Sequence, residues 1–336
     1  MTEQLAAVVE RSRAEAATGA LRAEGVYDDT RSVFECGPEA VGLPVTRPPA
    51  ATDVLRVVVD ETQTGSTTLS GLLRGRGWSE TELEQAPESW AVVGGVALVR
   101  VADCPRPTEV GEALLALVGG ADTVLARESV EGPRGEPDVT VLAGEGDTET
   151  VHHERGIEYA VDLATVPFSP DGTERARRGK QVTDGEHVLD TSAGAGSLTL
   201  PMAQGGATVT AVERDAAAFS YLVENVVRNG VADSVETYRA DCREVVEGFA
   251  PGREFDRVVV GRRGARSHLA DVLRVLGPGG TAHVYATTPD MLLPERPARR
   301  VRRAATAADR SVDSMEIRRV GGDSEGVSVV VDAVVT

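Results

Sequence analysis

Lysine is almost missing: Lys180 is the only one in 336 residues, and arginine carries the rest of the basic charge. Acidic residues dominate, 53 Asp and Glu against 35 Lys and Arg, for a net charge of -18. An acidic surface without lysine suits a protein kept soluble in concentrated salt, as in a halophilic archaeon. A GC-rich coding bias toward arginine accounts for the lysine deficit but not for the acidity. Such a charge ordinarily argues against nucleic acid. In molar salt, however, the counterion release that drives phosphate binding has largely faded. An RNA partner is therefore not excluded, and its binding is expected to depend only weakly on salt.

Cysteine is scarce as well. Cys36, Cys104 and Cys242 are widely spaced with no C-x-x-C, so neither a zinc site nor a disulfide framework is indicated. His152 and His153 are adjacent, and neighbours on a strand point to opposite faces, so no metal site is expected there. No run approaches the roughly 18 apolar residues of a membrane span. The opening "MTEQLAAVVERSRAEAATG" lacks a signal-peptide core, and a cytoplasmic location is expected. P-loop, nucleophile-elbow and metal motifs are all absent, which removes support for phosphate, thiolester and protease chemistry.

What is present has the length of two or three domains. Residues 1–46 read as a small α/β unit, with "LAAVVE" as a strand, "SRAEAATGALRAEG" as a helix closing on Gly25, and "SVFECGPEAVGLPV" as a hairpin. Residues 47–88 are polar and irregular, a connector with one helix near 79–86. A middle α/β domain over 89–165 has a helix at 107–118 and an alternating hairpin in "ETVHHERGIEYAVDL". From 166 to 336 strands and helices alternate, with strands expected at 186–191, 207–213, 234–240, 255–260 and 281–286. That alternation implies a parallel sheet with helices on both faces. A last helix at 295–309 and two adjacent strands then close the sheet with an antiparallel hairpin. Seven strands with that ending are the layout of class I S-adenosylmethionine-dependent transferases, an α/β fold.

In "LDTSAGAGSLTL", Asp190 ends the first strand of this domain, and Gly194 and Gly196 follow. A lone G-x-G is weak, and Thr199 stands where the dinucleotide fingerprint has its third glycine. Its place at the carboxyl end of a strand, where open α/β sheets bind ligands, strengthens it. Glu213, ending the second strand, can accept both hydroxyls of a ribose. Asp241, ending the third, can accept an adenine amino group, and the Cys242 amide can donate to a ring nitrogen. Helix capping is the plain alternative for either carboxylate. The missing glycine and the final hairpin disfavour a nicotinamide cofactor and favour S-adenosylmethionine.

Several stretches resemble one family. "DTVLARESVEGPRGEPDVTVLAGEGDTETVHHERGIEYAVDLATVPFSP" followed by "TER", with "CPRPTEVGEALL", "ENVVRNGVADSVETYRADCRE" and "LPERP", is similar to the archaeal enzymes that modify guanosine 37 of tRNA. These are the tRNA guanosine-37 N1-methyltransferases and the homologous wyosine-pathway aminocarboxypropyltransferases, and the likeness spans nearly the whole chain. In the methyltransferases the small N-terminal domain touches the tRNA body. The resemblance implies that Ser169 and Arg175 of "FSPDGTER" hold the methionine end of the cofactor. It implies that Glu174 matches the carboxylate that takes the guanine N1 proton, and Arg134 an arginine that stabilises charge on the base. Asp190, Gly194, Gly196, Glu213, Asp241 and Cys242 match the remaining cofactor contacts.

The departures lie at the site. The family's D-x-F-A-G-x-G-x-F loop keeps Asp190 and A-G-x-G, but Ser192 and Leu198 replace both phenylalanines. "FSPDGTER" is one residue short between Pro170 and Glu174. After Val260 the methyltransferases carry Asn-x-Pro, whereas here Gly261, Arg262 and Arg263 follow. The expected reaction is transfer of the 3-amino-3-carboxypropyl group of S-adenosylmethionine to C7 of the tricyclic base at position 37 of tRNA-Phe. The alternatives are N1-methylation with Glu174 as base, and a weakened paralogue that binds tRNA or cofactor without turnover.

Overall fold

A computed structural model of the chain describes residues 5–29, 33–35, 40–52, 54, 56–59, 68–131, 136–169, 171–249, 254–261, 267–323 and 326–336. Contacts divide the chain into two units, Met1–Leu83 and Glu84–Thr336.

In the first unit "LAAVVE" forms β1 (Leu5–Glu10) and the alanine-rich run that follows forms α1 (Ala14–Ala23). The helix stops where Gly25 takes φ 70°, a left-handed conformation easy only for glycine. With β2 (Phe34–Glu35), β3 (Ala40–Val45) and β4 (Arg56–Val59), β1 builds an antiparallel sheet of order β2-β3-β1-β4. Leu21 and Ala17 pack on Ala7, Val9, Val41, Leu43 and Val45 beneath α1. The irregular connector expected over 47–88 is corrected here. Arg56–Val59 pairs with β1, Leu5 opposite Val59, since a β-branched run fits a sheet edge. Two short helices follow, α2 (Leu69–Gly75) and α3 (Glu80–Leu83).

The second unit begins with β5 (Trp90–Val93) and β6 (Val96–Val99), then α4 (Pro107–Leu117), β7 (Thr123–Glu131) and β8 (Glu136–Gly144). These strands form a sheet of order β5-β6-β7-β8, in which α4 joins the parallel pair β6 and β7. α4 lies directly on β8: a Cβ on Gly111 would sit 2.5 Å from Leu142 Cβ. β9 (Glu149–Glu154) and β10 (Ile157–Asp162) make the expected hairpin, turning through Arg155 and Gly156, both at positive φ.

Next come α5 (Thr173–Gln181), β11 (His187–Asp190), α6 (Thr199–Gln204), β12 (Thr208–Val212), α7 (Ala216–Arg228), β13 (Val235–Tyr238), α8 (Cys242–Glu247), β14 (Phe255–Val260), α9 (Leu269–Arg274), β15 (Leu276–Thr288), α10 (Glu295–Ala307), β16 (Val312–Asp323) and β17 (Gly326–Val335). Seven strands form one sheet of order β13-β12-β11-β14-β15-β17-β16. β13 through β15 run parallel, and β17 and β16 close the edge antiparallel. The two-residue period sorts the core between its faces. Val188, Val209, Ala211 and Val259 pack with Leu200, Met202, Leu222 and Val226 on one side. Leu189, Val258, Val260 and Val331 pack with Val245, Leu269, Val272, Val301 and Ala305 on the other. This is the class I S-adenosylmethionine-dependent transferase fold expected, an α/β architecture whose strand order reverses beside β11 and puts a crevice at that carboxyl edge.

Candidate active site

The loop after β11 is held at every step. Asp190 is 2% exposed; Thr199 Oγ1 donates to its Oδ2 at 2.9 Å and the Ser192 amide to its Oδ1 at 3.3 Å. Thr199, standing where a third glycine was missing, is thus a partner for the buried carboxylate. Burial still pushes the Asp190 carboxyl up to about 6. Gly194 and Gly196 take φ 57° and 92°, which aims the Gly194 amide at Glu213 Oε2, 2.9 Å away. Asn225 of α7, fully buried, fixes the loop from behind. Its Nδ2 donates to the carbonyls of Ala195 and Ala160, each at 2.9 Å, and its Oδ1 accepts from Ala160 N–H at 2.7 Å. The substituted positions meet one another: a Cβ on Gly261 would lie 2.2 Å from Ser192 Oγ, so the loop and the end of β14 are in close contact.

Glu213 follows β12 and spends one lone pair on each oxygen, accepting from Gly194 and, at 2.8 Å, from Asp215 N–H. Further lone pairs remain for a diol. Asp241 caps α8, accepting from Arg243 N–H at 3.0 Å, and Arg243 Nε lies 3.2 Å from the same oxygen. Arg243 holds the carboxyl below its usual range. The capping alternative is therefore realised at Asp241, while its Oδ2 has only a 3.5 Å contact with Arg243 Nη2. Cys242 is buried in α8, and burial pushes its thiol up to about 12, so the side chain is inert packing under its own backbone amide.

Neighbours in sequence, Glu174 and Arg175 go to different places. Arg175 is 4% exposed. Its Nε donates to Glu154 at 2.9 Å, Nη2 joins the same carboxylate, and Nη1 donates to the Ser169 carbonyl at 2.8 Å. The guanidinium lies over the Phe168 ring, 4.8 Å from its centroid. Glu154 occupies the Nε–Nη2 edge, so a ligand carboxylate takes that edge by displacing Glu154. The Ser169 hydroxyl is on the exposed side of this segment. Glu174 accepts from Arg318 Nη1 at 2.8 Å and Nη2 at 3.3 Å, from Tyr285 Oη at 3.0 Å, and from Arg178 Nη2 at 3.1 Å. Burial pushes its carboxyl up, but the Arg318 hydrogen bond and the charges of Arg178 and Arg318 outweigh it, leaving it below the carboxylate range.

Behind Glu174 runs a buried polar network that the sequence did not reveal. Arg178 is 0% exposed and pairs with Asp332 at 2.9 Å and Gln181 at 2.6 Å, while its Nε donates to Tyr285 Oη at 3.0 Å. His283 Nδ1 lies 2.7 Å from Asp332, and its Nε2 lies 2.5 Å from Arg257 Nη1, which is ion-paired to Glu186 through Nε. Burial first, then the Arg178 and Arg257 charges, hold His283 down to about 4. A neutral ring that donates Nδ1–H to Asp332 and accepts at Nε2 pairs with Asp332 and Arg257, while Arg178 Nη1, 2.8 Å from Nδ1, gives its hydrogen bond to Gln181 instead. Asp332 is held well below its usual range, its burial outweighed by His283 and Arg178. The only sequence signal was the polar alternation "HVYATT" within an otherwise buried strand. His152 and His153 do diverge, His152 turned inward beside Glu154 and His153 outward. Arg134, Arg262 and Arg263 lie outside the described residues.

The TRM5/TYW2 methyltransferase domain matches residues 150–313, and the TYW2 N-terminal domain matches residues 69–148. A tRNA(Phe) (4-demethylwyosine(37)-C(7)) aminocarboxypropyltransferase of Pyrococcus horikoshii is 34% identical over 252 residues, covering 73% of this chain and 88% of the relative. A tRNA (guanine(37)-N(1))-methyltransferase, Trm5b of Pyrococcus abyssi, is 30% identical over 61% of each chain. Among solved structures, P. abyssi Trm5b superposes over 100% of both chains with a TM-score of 0.72 and 25% identity. P. horikoshii TYW2 in complex with MeSAdo covers 78% of this chain and 96% of its own, with a TM-score of 0.65 and 30% identity. Together with the seven-stranded fold and the carboxylates at its edge, these matches establish that the chain belongs to the TRM5/TYW2 family.

Proposed function

We propose that this chain transfers the 3-amino-3-carboxypropyl group of S-adenosylmethionine to C7 of 4-demethylwyosine at position 37 of tRNA-Phe, a step of wyosine biosynthesis. The cofactor fits the sheet edge on local grounds. A Cβ added to Gly194 meets no atom within 4 Å, so the loop borders open space there, and Glu213 retains acceptor capacity. In this reading Glu213 accepts from the ribose hydroxyls, Asp241 from the adenine amino group, and the Cys242 amide donates to a ring nitrogen. Ser169 and Arg175 take the methionine end, Arg175 by exchanging Glu154 for the ligand carboxylate. Asp190, Gly194 and Gly196 keep the loop backbone in place, and Arg134 is assigned to charge on the base.

When bound, the sulfonium makes three neighbouring carbons electrophilic. Which one reacts depends on which faces the nucleophile, so the protein's task is orientation in a dry pocket. C7 of the base forms a carbon–carbon bond to the γ-carbon as the bond from that carbon to sulfur breaks. The electron pair stays on sulfur, and C7 releases its proton to solvent.

The observation that carries the choice of group is the state of Glu174. Methylation at guanine N1 needs a proton acceptor at this position. Here two arginines and a tyrosine already donate to both carboxylate oxygens and hold the group ionised, which leaves little basicity. Attack by an electron-rich ring carbon needs no N1 proton removed first. The relation to the aminocarboxypropyltransferase of P. horikoshii supports the same choice. The test uses precursor tRNA and cofactor labelled separately in the methyl and carboxyl groups. Carboxyl label should reach the tRNA. Methyl label alone would replace this reading with N1-methylation, and neither label would point to a binding protein without turnover.

A further inference from the structure

α10 is basic in a chain that is not. Its sequence, ERPARRVRRAATA, holds five arginines and one acid, against an overall charge of -18. The burial pattern divides the helix sharply. Pro297, Ala298, Val301 and Ala305 face the domain core, and Arg296, Arg299, Arg302 and Arg303 are exposed. Among the described residues none of these four guanidinium groups has a hydrogen bond or ion pair. Other exposed arginines of the same unit do: Arg228 pairs with Glu224 at 2.7 Å, Arg274 with Asp271 at 2.6 Å, and Arg319 with Asp290 at 2.5 Å.

Helix stability does not explain the pattern. Arg299 and Arg303 stand four apart, and Arg296 and Arg299 three apart, where like charges repel. No basic residue lies in the last turn of α10, where the helix dipole would favour it. Within the helix only Glu295, four residues before Arg299, offsets the repulsion, and an external polyanion relieves the rest.

Position indicates which polyanion. β15 runs parallel to β14, Val284 opposite Val260, so it ends at the same carboxyl edge as Asp190. The chain passes that edge through Met291, 88% exposed, and Leu292 before α10 begins. α10 then extends for about 20 Å at 1.5 Å per residue. An open hollow lies along it, lined by Glu295, Arg299, Arg302, Arg303 and Thr306.

We propose that the arginine face of α10 is a phosphate-backbone contact for the RNA whose modified base is presented at the sheet edge. This rests on the tRNA-modifying reading above. It alters the weak salt dependence expected from the overall acidity, since a local unpaired cluster releases counterions whatever the net charge elsewhere.

The test measures tRNA affinity over a fourfold range of potassium chloride, with folding followed in parallel. It compares the intact chain, Arg299→Gln/Arg303→Gln, and the charge-matched control Arg228→Gln/Arg274→Gln. Two phosphate contacts add about 1.4–1.8 to the slope of log affinity against log salt. The advantage of the intact chain over the α10 variant should thus shrink by roughly 7- to 12-fold across that range, with the control unchanged. Calorimetry of S-adenosylmethionine binding should be the same for all three proteins. Equal tRNA affinity in the α10 variant overturns the proposal, and so does an equal loss in the control, which would reduce the effect to net charge. If the intact chain binds no tRNA while it binds S-adenosylmethionine, the functional reading fails and this contact fails with it.

Discussion

Replacing Glu174 by glutamine separates the two transfer chemistries. Glutamine keeps the shape but offers one acceptor oxygen. With that oxygen in the place of Oε2, the bonds from Arg178 and Tyr285 survive. The new amide then faces Arg318 Nη1 across the 2.8 Å now spanned by a hydrogen bond, donor against donor. One charge-assisted bond worth about 1.5–3 kcal/mol is lost. Arg178 loses a countercharge too, although Asp332 remains at 2.9 Å, so the buried cation is not orphaned. We expect a destabilisation of about 2–4 kcal/mol, read by urea unfolding. Removing a general base costs about 10²–10⁴-fold in rate. If Glu174 is a structural carboxylate, single-turnover aminocarboxypropyl transfer by the folded fraction should fall less than about tenfold, or 1.4 kcal/mol of barrier. A fall of a hundredfold or more, with cofactor affinity and folded fraction intact, would refute the argument and make Glu174 the base.

Glu213→Ala should weaken S-adenosylmethionine binding by about 1.5–3 kcal/mol, roughly 10- to 150-fold by calorimetry; unchanged affinity would remove Glu213 from the site. Arg175→Lys retains charge but not the two-pronged fork, so transfer should drop far more than adenosine binding, and equal losses would make Arg175 purely structural. Asn225→Ala leaves the Ala160 and Ala195 groups unpartnered, which should cost about 2–4 kcal/mol of stability and loosen cofactor binding; a neutral effect in urea melts would contradict this. His283 is held near 4 in the folded chain against 6.5 when unfolded, so the unfolded state binds more protons between those values. Stability relative to His283→Asn should therefore fall as pH drops from about 6.5 to 4, by on the order of 3 kcal/mol. Asp190, raised to about 6, gains in the opposite direction over the same window, and comparison with the variant cancels it; parallel stability curves for the two proteins would refute the His283 assignment.

The sequence by itself determined most of the elements and the sheet edge at which the candidate carboxylates stand. β-branched runs of period two, glycines at turns and the alternation of strand with helix are local signals. They placed β14 at 255–260 and the carboxylates Asp190, Glu213 and Asp241 after successive strands. A parallel sheet then leaves those strand ends on one edge. Local signals failed where pairing was long-range. "RVVVD" read as part of a connector because nothing nearby shows that β1 has an edge open to it. Only the tertiary structure decided which charges meet. His283 and Asp332 lie 105 and 154 positions after Arg178 along the chain. Side chains of α5 reaching β15 and β17 bring them together. Likewise Arg175 is committed to Glu154, 21 residues away, and Glu174 to Arg318, 144 residues away. A carboxylate's basicity depends on the donors and burial around it. Those are properties of the folded surroundings, and no spacing along the chain encodes them.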